Sequence, residues 1–424
     1  MKITTLSRIV VDNTFRRGFR DSYWAAQKNR ERVVRLYRNG DRTLARHVAS
    51  DFASFLRDKV TPIPDHTRVR AKAAVAWICR AQDATPDHGV SLGYFPCDEE
   101  QGWWPSYPET TGYIIPSLLE FARRYDDPAI KARALRMASW EAEIQMPSGA
   151  VQGGPVCSRE KQTPCAFNTG MVLDGWSAAY KETGDRSFLE AGCRAADYLV
   201  GDLTADGYFR TNGNFVTPGL IKTYNALCAW PLYRFGQQSG NEAYQHAAVR
   251  VIEAALRQQR PNGWFANNCL TRPDAPLLHT IGYTLQGVLE VGLLANRPDF
   301  IAAATRGVDA LVQRMTANGF LPGRFYSHWE PASLWSCLTG SAQLAVVCYR
   351  LGEHLNSRAY VVAGDRITNY LKFLQALDSS HADINGALAG SFPFLGGYMT
   401  GAYPNWATKY LLDALLLQER LGEN

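Results

Sequence analysis

Six times along the chain a helical pattern breaks at a turn containing glycine. It then runs through a loop rich in aromatic residues, Gly and Pro, and re-enters a helix. The turns read HGVSLGYF, SGAVQGG, DGYFRTNG, NGWFANN, NGFLPGRF and NGALAGSF. Their first glycines are Gly89, Gly149, Gly207, Gly263, Gly319 and Gly386, spaced 60, 58, 56, 56 and 67 residues apart. A period of this size with two helices per unit marks an array of helical hairpins. Glycine suits such turns because it accepts positive φ at a helix end.

Apolar residues near period 3.6 place helices over 66–84, 110–125, 129–146, 167–183, 187–202, 219–237, 241–259, 278–294, 298–317, 333–350, 357–376 and 404–421. Between partners of a pair the linkers are short: Tyr125-Asp126-Asp127-Pro128, Thr183-Gly184-Asp185 and Ser239-Gly240-Asn241. Long decorated loops therefore lie at one end of the hairpins and short turns at the other. A length of 424 residues would allow two or three domains. The repeat favours a single all-α domain over residues 66–424. An open solenoid of six hairpins needs polar end caps, whereas a closed ring needs none.

Residues 1–65 form a separate basic, helical N-terminal extension. They carry 14 Lys and Arg against 7 Asp and Glu, a net +7, which leaves −2 for the rest of the chain. Its helices are expected over Asp21 to Arg38 and Arg42 to Lys59, with apolar Trp24, Val33, Val34, Leu36, Leu44, Val48, Phe52 and Leu56. Two readings stand: a solvated basic face on helices that pack against the body, or a surface for an anionic partner such as an acidic glycan or a membrane. Nucleic acid ranks last, because no recognisable binding module accompanies the charge.

Composition excludes several classes. Hydrophobic residues make up 46% of the chain, enough for a large core and too many for a disordered protein. No apolar run is long enough for a transmembrane helix, and Asp12 and Arg16 interrupt any secretory leader, so a cytoplasmic location is expected. The nine cysteines include no CxxC pair and read as reduced thiols. No metal site is expected, since Cys157 and Cys165 share a loop without a histidine. Walker and Rossmann signatures are absent, so no cofactor is expected.

The loops carry the chemistry. The first holds Asp98, Glu99, Glu100, Trp103, Trp104, Tyr107 and Glu109; the second Arg159, Glu160, Lys161 and Asn168. The third holds Tyr208, Asn212, Asn214, Lys222, Tyr224 and Asn225; the fourth Trp264, Arg272, Asp274 and His279. The fifth holds Arg324, Tyr326, His328, Trp329 and Glu330, and the sixth Phe392, Phe394, Tyr398, Asn405, Trp406 and Lys409. Flat aromatics beside amides and charged groups suit a saccharide, whose C–H face lies on a ring while its hydroxyls pair at the edges. Trp103, Trp104 and Trp329 are the expected platforms, unless they simply plug loops together. Tyr107, Asn168, Lys222, Asn225, Arg272, His328 and Asn405 join them as substrate contacts, and Arg324 would orient an anionic sugar.

Glu109 stands out in PSYPETTGY. It could be an N-terminal capping charge or a general acid or base. His279 occupies the matching place three repeats later, since ETTGY aligns with HTIGY. Three repeats apart in a six-fold ring, the two would face each other across a central cavity. The other matching positions are Asn168, Tyr224 or Asn225, Cys337 or Ser336, and Asn405 or Trp406.

Repeat count and loop style over residues 66–421 resemble the (α/α)6 toroid of the six-hairpin glycosidases and their polysaccharide-lyase and sugar-epimerase relatives. That resemblance implies a hydrolase working by two carboxylates. Glu109 would be one, and Asp98, Glu100, Asp274 and Glu330 are candidates for the other. Alternatively, a uronate lyase or epimerase would use Tyr224, His279 or His328 as base. A third reading is a non-catalytic glycan-binding protein of polysaccharide biosynthesis. Terpenoid cyclases share the toroid, but this chain lacks their DxDD motif.

Overall fold

The computed structural model describes residues 28–36, 42–56, 60–98, 100, 102–213, 220–377, 379 and 381–422. Trp24 and the rest of residues 1–27, the charged pair Asp58 and Lys59, and loop residues Glu99 and Asn214 lie outside the described residues.

Twelve helices build the body, preceded by α1 (28–36) and α2 (Arg42–Leu56). The outer helices are α3 (Thr67–Asp83), α5 (Pro128–Ile144), α7 (Arg186–Asp202), α9 (Glu242–Leu256), α11 (Pro298–Val312) and α13 (Arg358–Leu374). The inner ones are α4 (Pro108–Tyr125), α6 (Ala166–Thr183), α8 (Ala226–Ser239), α10 (Leu278–Leu294), α12 (Leu338–His354) and α14 (Asn405–Gly422). Each inner helix packs on the next, and α14 returns to α4, so the ring is closed. The sixth hairpin is made from the two ends of the body, α14 packing on α3. Inner helices are buried nearly all round, as α10 shows from Leu278 to Gly292. Outer helices bury only one stripe.

The turn glycines explain the period. Gly149, Gly207, Gly263, Gly319 and Gly386 all adopt positive φ, between 83° and 96°. Each lies against the backbone of the next outer helix: a β-carbon on Gly149 would sit 2.2 Å from the Arg194 carbonyl oxygen. Gly386 makes the same approach to Ala73 of α3, where a β-carbon would sit 2.1 Å away, so the final turn docks on the first helix. A glutamine recurs beside three of these turns. Gln145 Nε2 donates to the Gly149 and Ala191 carbonyls, Gln259 to those of Gly263 and Ala303, and Gln375 to those of Gly386 and Arg70.

Two small sheets accompany the helices. β1 (Gly93–Phe95) lies between β2 (Gly102–Trp103) and β5 (Tyr403–Pro404), and β3 (Ser336–Cys337) pairs with β4 (Ser391–Phe392). Each is antiparallel and only two or three residues long. β1–β5 joins the first long loop to the last. Because residues 336–337 pair with β4, α12 starts at Leu338 rather than 333. α8 starts at Ala226 rather than 219, after a single tight turn over Thr223–Asn225.

Helices α1 and α2 pack on the loop face. Leu36, Leu44 and Val48 are buried in the common core, whereas Val34, Phe52 and Leu56 are exposed, against the apolar stripe read from sequence. Arg35 donates to the Cys97 carbonyl at 3.1 Å, Arg32 pairs with Asp98 at 3.7 Å, and Asn29 donates to the Leu395 carbonyl. Asp51 accepts the Phe394 amide hydrogen. Part of the basic surplus is thus spent on the body itself. No helix among the described residues is long and apolar enough to cross a membrane.

Candidate active site

The long loops surround a cavity of about 560 Å³ at the mouth of the ring. Inner helices begin here, so their first residues point into it. Glu109 is the second residue of α4, held by Pro108 at the first helical position. The helix is not capped by a side chain, and the Glu109 carboxylate accepts a hydrogen bond from the Tyr107 hydroxyl at 2.8 Å rather than from backbone amides. Burial pushes its pKa up to about 7, against the pull of the Tyr107 hydrogen bond.

His279 is the second residue of α10, the third inner helix on from α4. Its Nδ1 lies 2.9 Å from Gln343 Oε1. In this orientation of the amide Nδ1 carries the proton and Nε2 is the acceptor. Burial pulls the pKa of the ring down to about 4. Gly340 of α12 makes room for this segment: a β-carbon there would lie 2.5 Å from the His279 backbone nitrogen.

An aromatic belt links the two groups. On one side Tyr107 meets Trp406, Trp406 Nε1 donates to the Tyr398 hydroxyl at 2.9 Å, and the Tyr398 ring lies 5.4 Å from His279. On the other, Tyr283 stacks 4.3 Å from His279 and meets Phe167, which in turn meets Tyr224. Phe95 and Trp104, stacked at 4.4 Å, close the wall. One helical turn deeper, Tyr113 and Tyr410 pack together, and Lys409 lies over both rings while pairing with Asp413 at 2.7 Å. Asn168 donates to the Gln152 carbonyl, and its Oδ1 in the cavity wall has no hydrogen-bond partner among the described residues.

Of the residues singled out from sequence, the cavity gathers Trp104, Tyr107, Glu109, Asn168, Tyr224, His279, Tyr398 and Trp406. The rest have other duties. Trp103 packs on Trp77 and Tyr94 and donates to Asp383. Trp329 is buried against Trp264 and donates to the Asn262 carbonyl, so it plugs two loops. Asn225 bonds Asn212, and Asn405 bonds the Ser91 carbonyl and Thr110. His328 is exposed and away from the cavity lining. Lys222 donates to the carbonyls of Cys269 and Leu270, Arg324 to that of Ala275, and Arg272 pairs with Asp274. None of these three cations lines the cavity. Nor do the candidate second carboxylates: Asp98 pairs with Arg32, Asp274 with Arg272, and Glu100 and Glu330 are exposed. Among the described residues Glu109 is the one carboxyl in the wall. No cluster of three potential metal ligands occurs among them.

Sequence reasoning missed Phe167 and Tyr283. Counting back three places from the inner-helix glycines Gly112, Gly170, Gly282 and Gly340 gives Glu109, Phe167, His279 and Cys337. Asn168, the matching position read from sequence, lies one residue past this register in the second repeat. Tyr283 was legible in the aligned ETTGY and HTIGY segments, because residues four apart share a helix face.

No family model and no curated protein matches this sequence. Solved structures do. An unsaturated glucuronyl hydrolase specific for heparin aligns over 84% of this chain and 98% of its own, with TM-score 0.67 and 16% identity. The unsaturated glucuronyl hydrolase of Bacillus sp. GL1 gives the same score and identity over 84% of this chain and 97% of its own. Cellobiose 2-epimerase from Bacillus thermoamylovorans B4167 aligns over 84% and 98%, with TM-score 0.63 and 9% identity. The chain shares the (α/α)6 toroid fold of these proteins. At these identities the likeness speaks to the fold, and the chemistry rests on the cavity.

Proposed function

We propose that this protein is a carbohydrate-active enzyme that takes the end of an oligosaccharide into the cavity and transfers a proton to it from Glu109. The observation that carries the reading is the state of that carboxyl. It is the one acid in the wall among the described residues, and burial holds its pKa at about 7. Near neutrality it is poised to give a proton and take one back. His279 supplies an acceptor: neutral, with Nδ1 engaged by Gln343 and Nε2 as its basic nitrogen. Glu109 would protonate the glycosidic oxygen while His279 Nε2 accepts a proton from the attacking water. This division of labour takes the place of a second carboxylate. The volume suits a di- or trisaccharide, and the aromatic belt supplies faces for sugar rings.

The same pair supports a second reading, proton exchange at a sugar carbon, because an acid and an acceptor line one cavity. Neighbours in fold include both hydrolases and an epimerase. Proton NMR of a neutral and uronic-acid oligosaccharide panel, incubated with the protein in deuterated water, separates the two. New reducing-end anomeric signals that vanish with Glu109→Gln are the expected result. Loss of a ring-proton signal without cleavage would favour the second reading. An unchanged spectrum across the panel would overturn both.

A further inference from the structure

Among the described residues the cavity wall offers a carboxylate no cation to pair with. Its lining contains no Lys or Arg among the described residues. Of the loop cations, Lys222, Arg324 and Arg272 hold backbone carbonyls or a neighbouring Asp, and Arg159 and Lys161 are exposed and outside the lining. The buried cation one turn deeper, Lys409, lies behind the rings of Tyr113 and Tyr410 and is neutralised by Asp413. The other polar groups of the wall are neutral, among them the Tyr107, Tyr224, Tyr283 and Tyr398 hydroxyls, the Thr271 and Thr280 hydroxyls, the Asn168 Oδ1 and the His279 ring. Their mixture of donors and acceptors matches hydroxyl groups.

Resting on the reading of the cavity as a saccharide site, we infer that it selects a neutral sugar end and rejects a uronate. A uronate would bring a second carboxylate beside Glu109, with no cation to offset the loss of its water. Glu109 itself reports what this cavity does to a carboxylate: burial raises it from 4.5 to about 7. The same displacement applied to a uronate bound in the ionised form corresponds to a loss of affinity of about 300-fold.

The test is calorimetric titration at pH 7 with matched oligosaccharides: a neutral sugar end, the same end oxidised to the C6 carboxylate, and the methyl ester of that acid. The neutral sugar should bind, the acid should bind about 300-fold more weakly, and the ester should return to within a few-fold of the neutral sugar. Weakening on both oxidation and esterification would mean that shape, not charge, excludes the acid, and would overturn the inference. So would a uronate that binds as well as the neutral sugar or better, and that result would leave the saccharide reading intact. If no member of any matched set binds, the saccharide reading fails and the inference falls with it.

Discussion

Loss of water acts with opposite sign on the two titratable groups of the cavity. It favours the neutral acid at Glu109, raising the pKa to about 7, and the neutral base at His279, lowering it to about 4. With Glu109 as proton donor and His279 as acceptor, both are in the working state between those values. The pH profile of kcat/KM should therefore be a bell with limbs near about 4 and about 7, measured on any substrate found. A profile that instead rises through 7 would make ionised Glu109 the base. Stability carries a second signature. The folded pKa of Glu109 lies above the free value of 4.5, so its contribution is fully present below about 4.5 and is lost as pH rises through about 7. Relative to wild type, Glu109→Gln should gain about 3 kcal/mol of unfolding free energy between pH 4 and pH 9. Urea unfolding at the two pH values measures it. A difference that stays constant with pH would show that the carboxyl is not desolvated.

At the level of elements, one wall of the cavity depends on a helix outside the ring. The loop between β4 and β5 brings Tyr398 and Met399 to the cavity, and Asp51 of α2 holds it through the Phe394 amide. Phe55 adds a ring contact to Phe392. Asp51→Ala should free this loop, raising KM several-fold with a smaller change in kcat, and speeding amide exchange at 394–402. Asp51→Asn keeps an acceptor and should stay close to wild type. Equal behaviour of the two variants would remove α2 from any part in shaping the site. This dependence was not legible in the sequence, because a single hydrogen bond across more than 300 residues leaves no periodic trace. The hairpins were legible for the opposite reason. Their turns recur, and the turn glycines meet the same steric demand again and again. The cavity lining divides along the same line. The places of Glu109 and His279 in it were legible because inner-helix starts repeat. Lys222, Arg272 and Arg324 misled because a cation in a loop near a cavity can equally satisfy stray carbonyls, and only three dimensions show which it does.

For the whole molecule, closure distinguishes this ring from an open stack of hairpins. In an open array each unit touches only its neighbours, and damage at one end unfolds that end first. Here the last turn is buried on the first outer helix, with Gly386 against Ala73, and α14 is sandwiched between α3 and the inner helices α4 and α12. Lys372 of α13 reinforces the junction by donating to the Pro64 carbonyl and Thr67. The two ends of the body are therefore among its most constrained parts. Gly386→Ala must place a methyl group against a carbonyl while holding a positive φ, two penalties that together exceed about 3 kcal/mol. Gly149→Ala, two hairpins away round the ring, meets the same geometry at Arg194. In a closed ring the two variants should lower the melting temperature by similar amounts, each with a single transition shared by near- and far-ultraviolet circular dichroism. An open array would give Gly386→Ala an early local phase that Gly149→Ala lacks. The cavity has a stake in the outcome, since Trp406 and Tyr398 come from the sixth hairpin and its loop, while Glu109 and Tyr107 come from the first. Only closure brings them within one belt, so a variant that opens the ring should lose saccharide binding at the temperature where the ring parts.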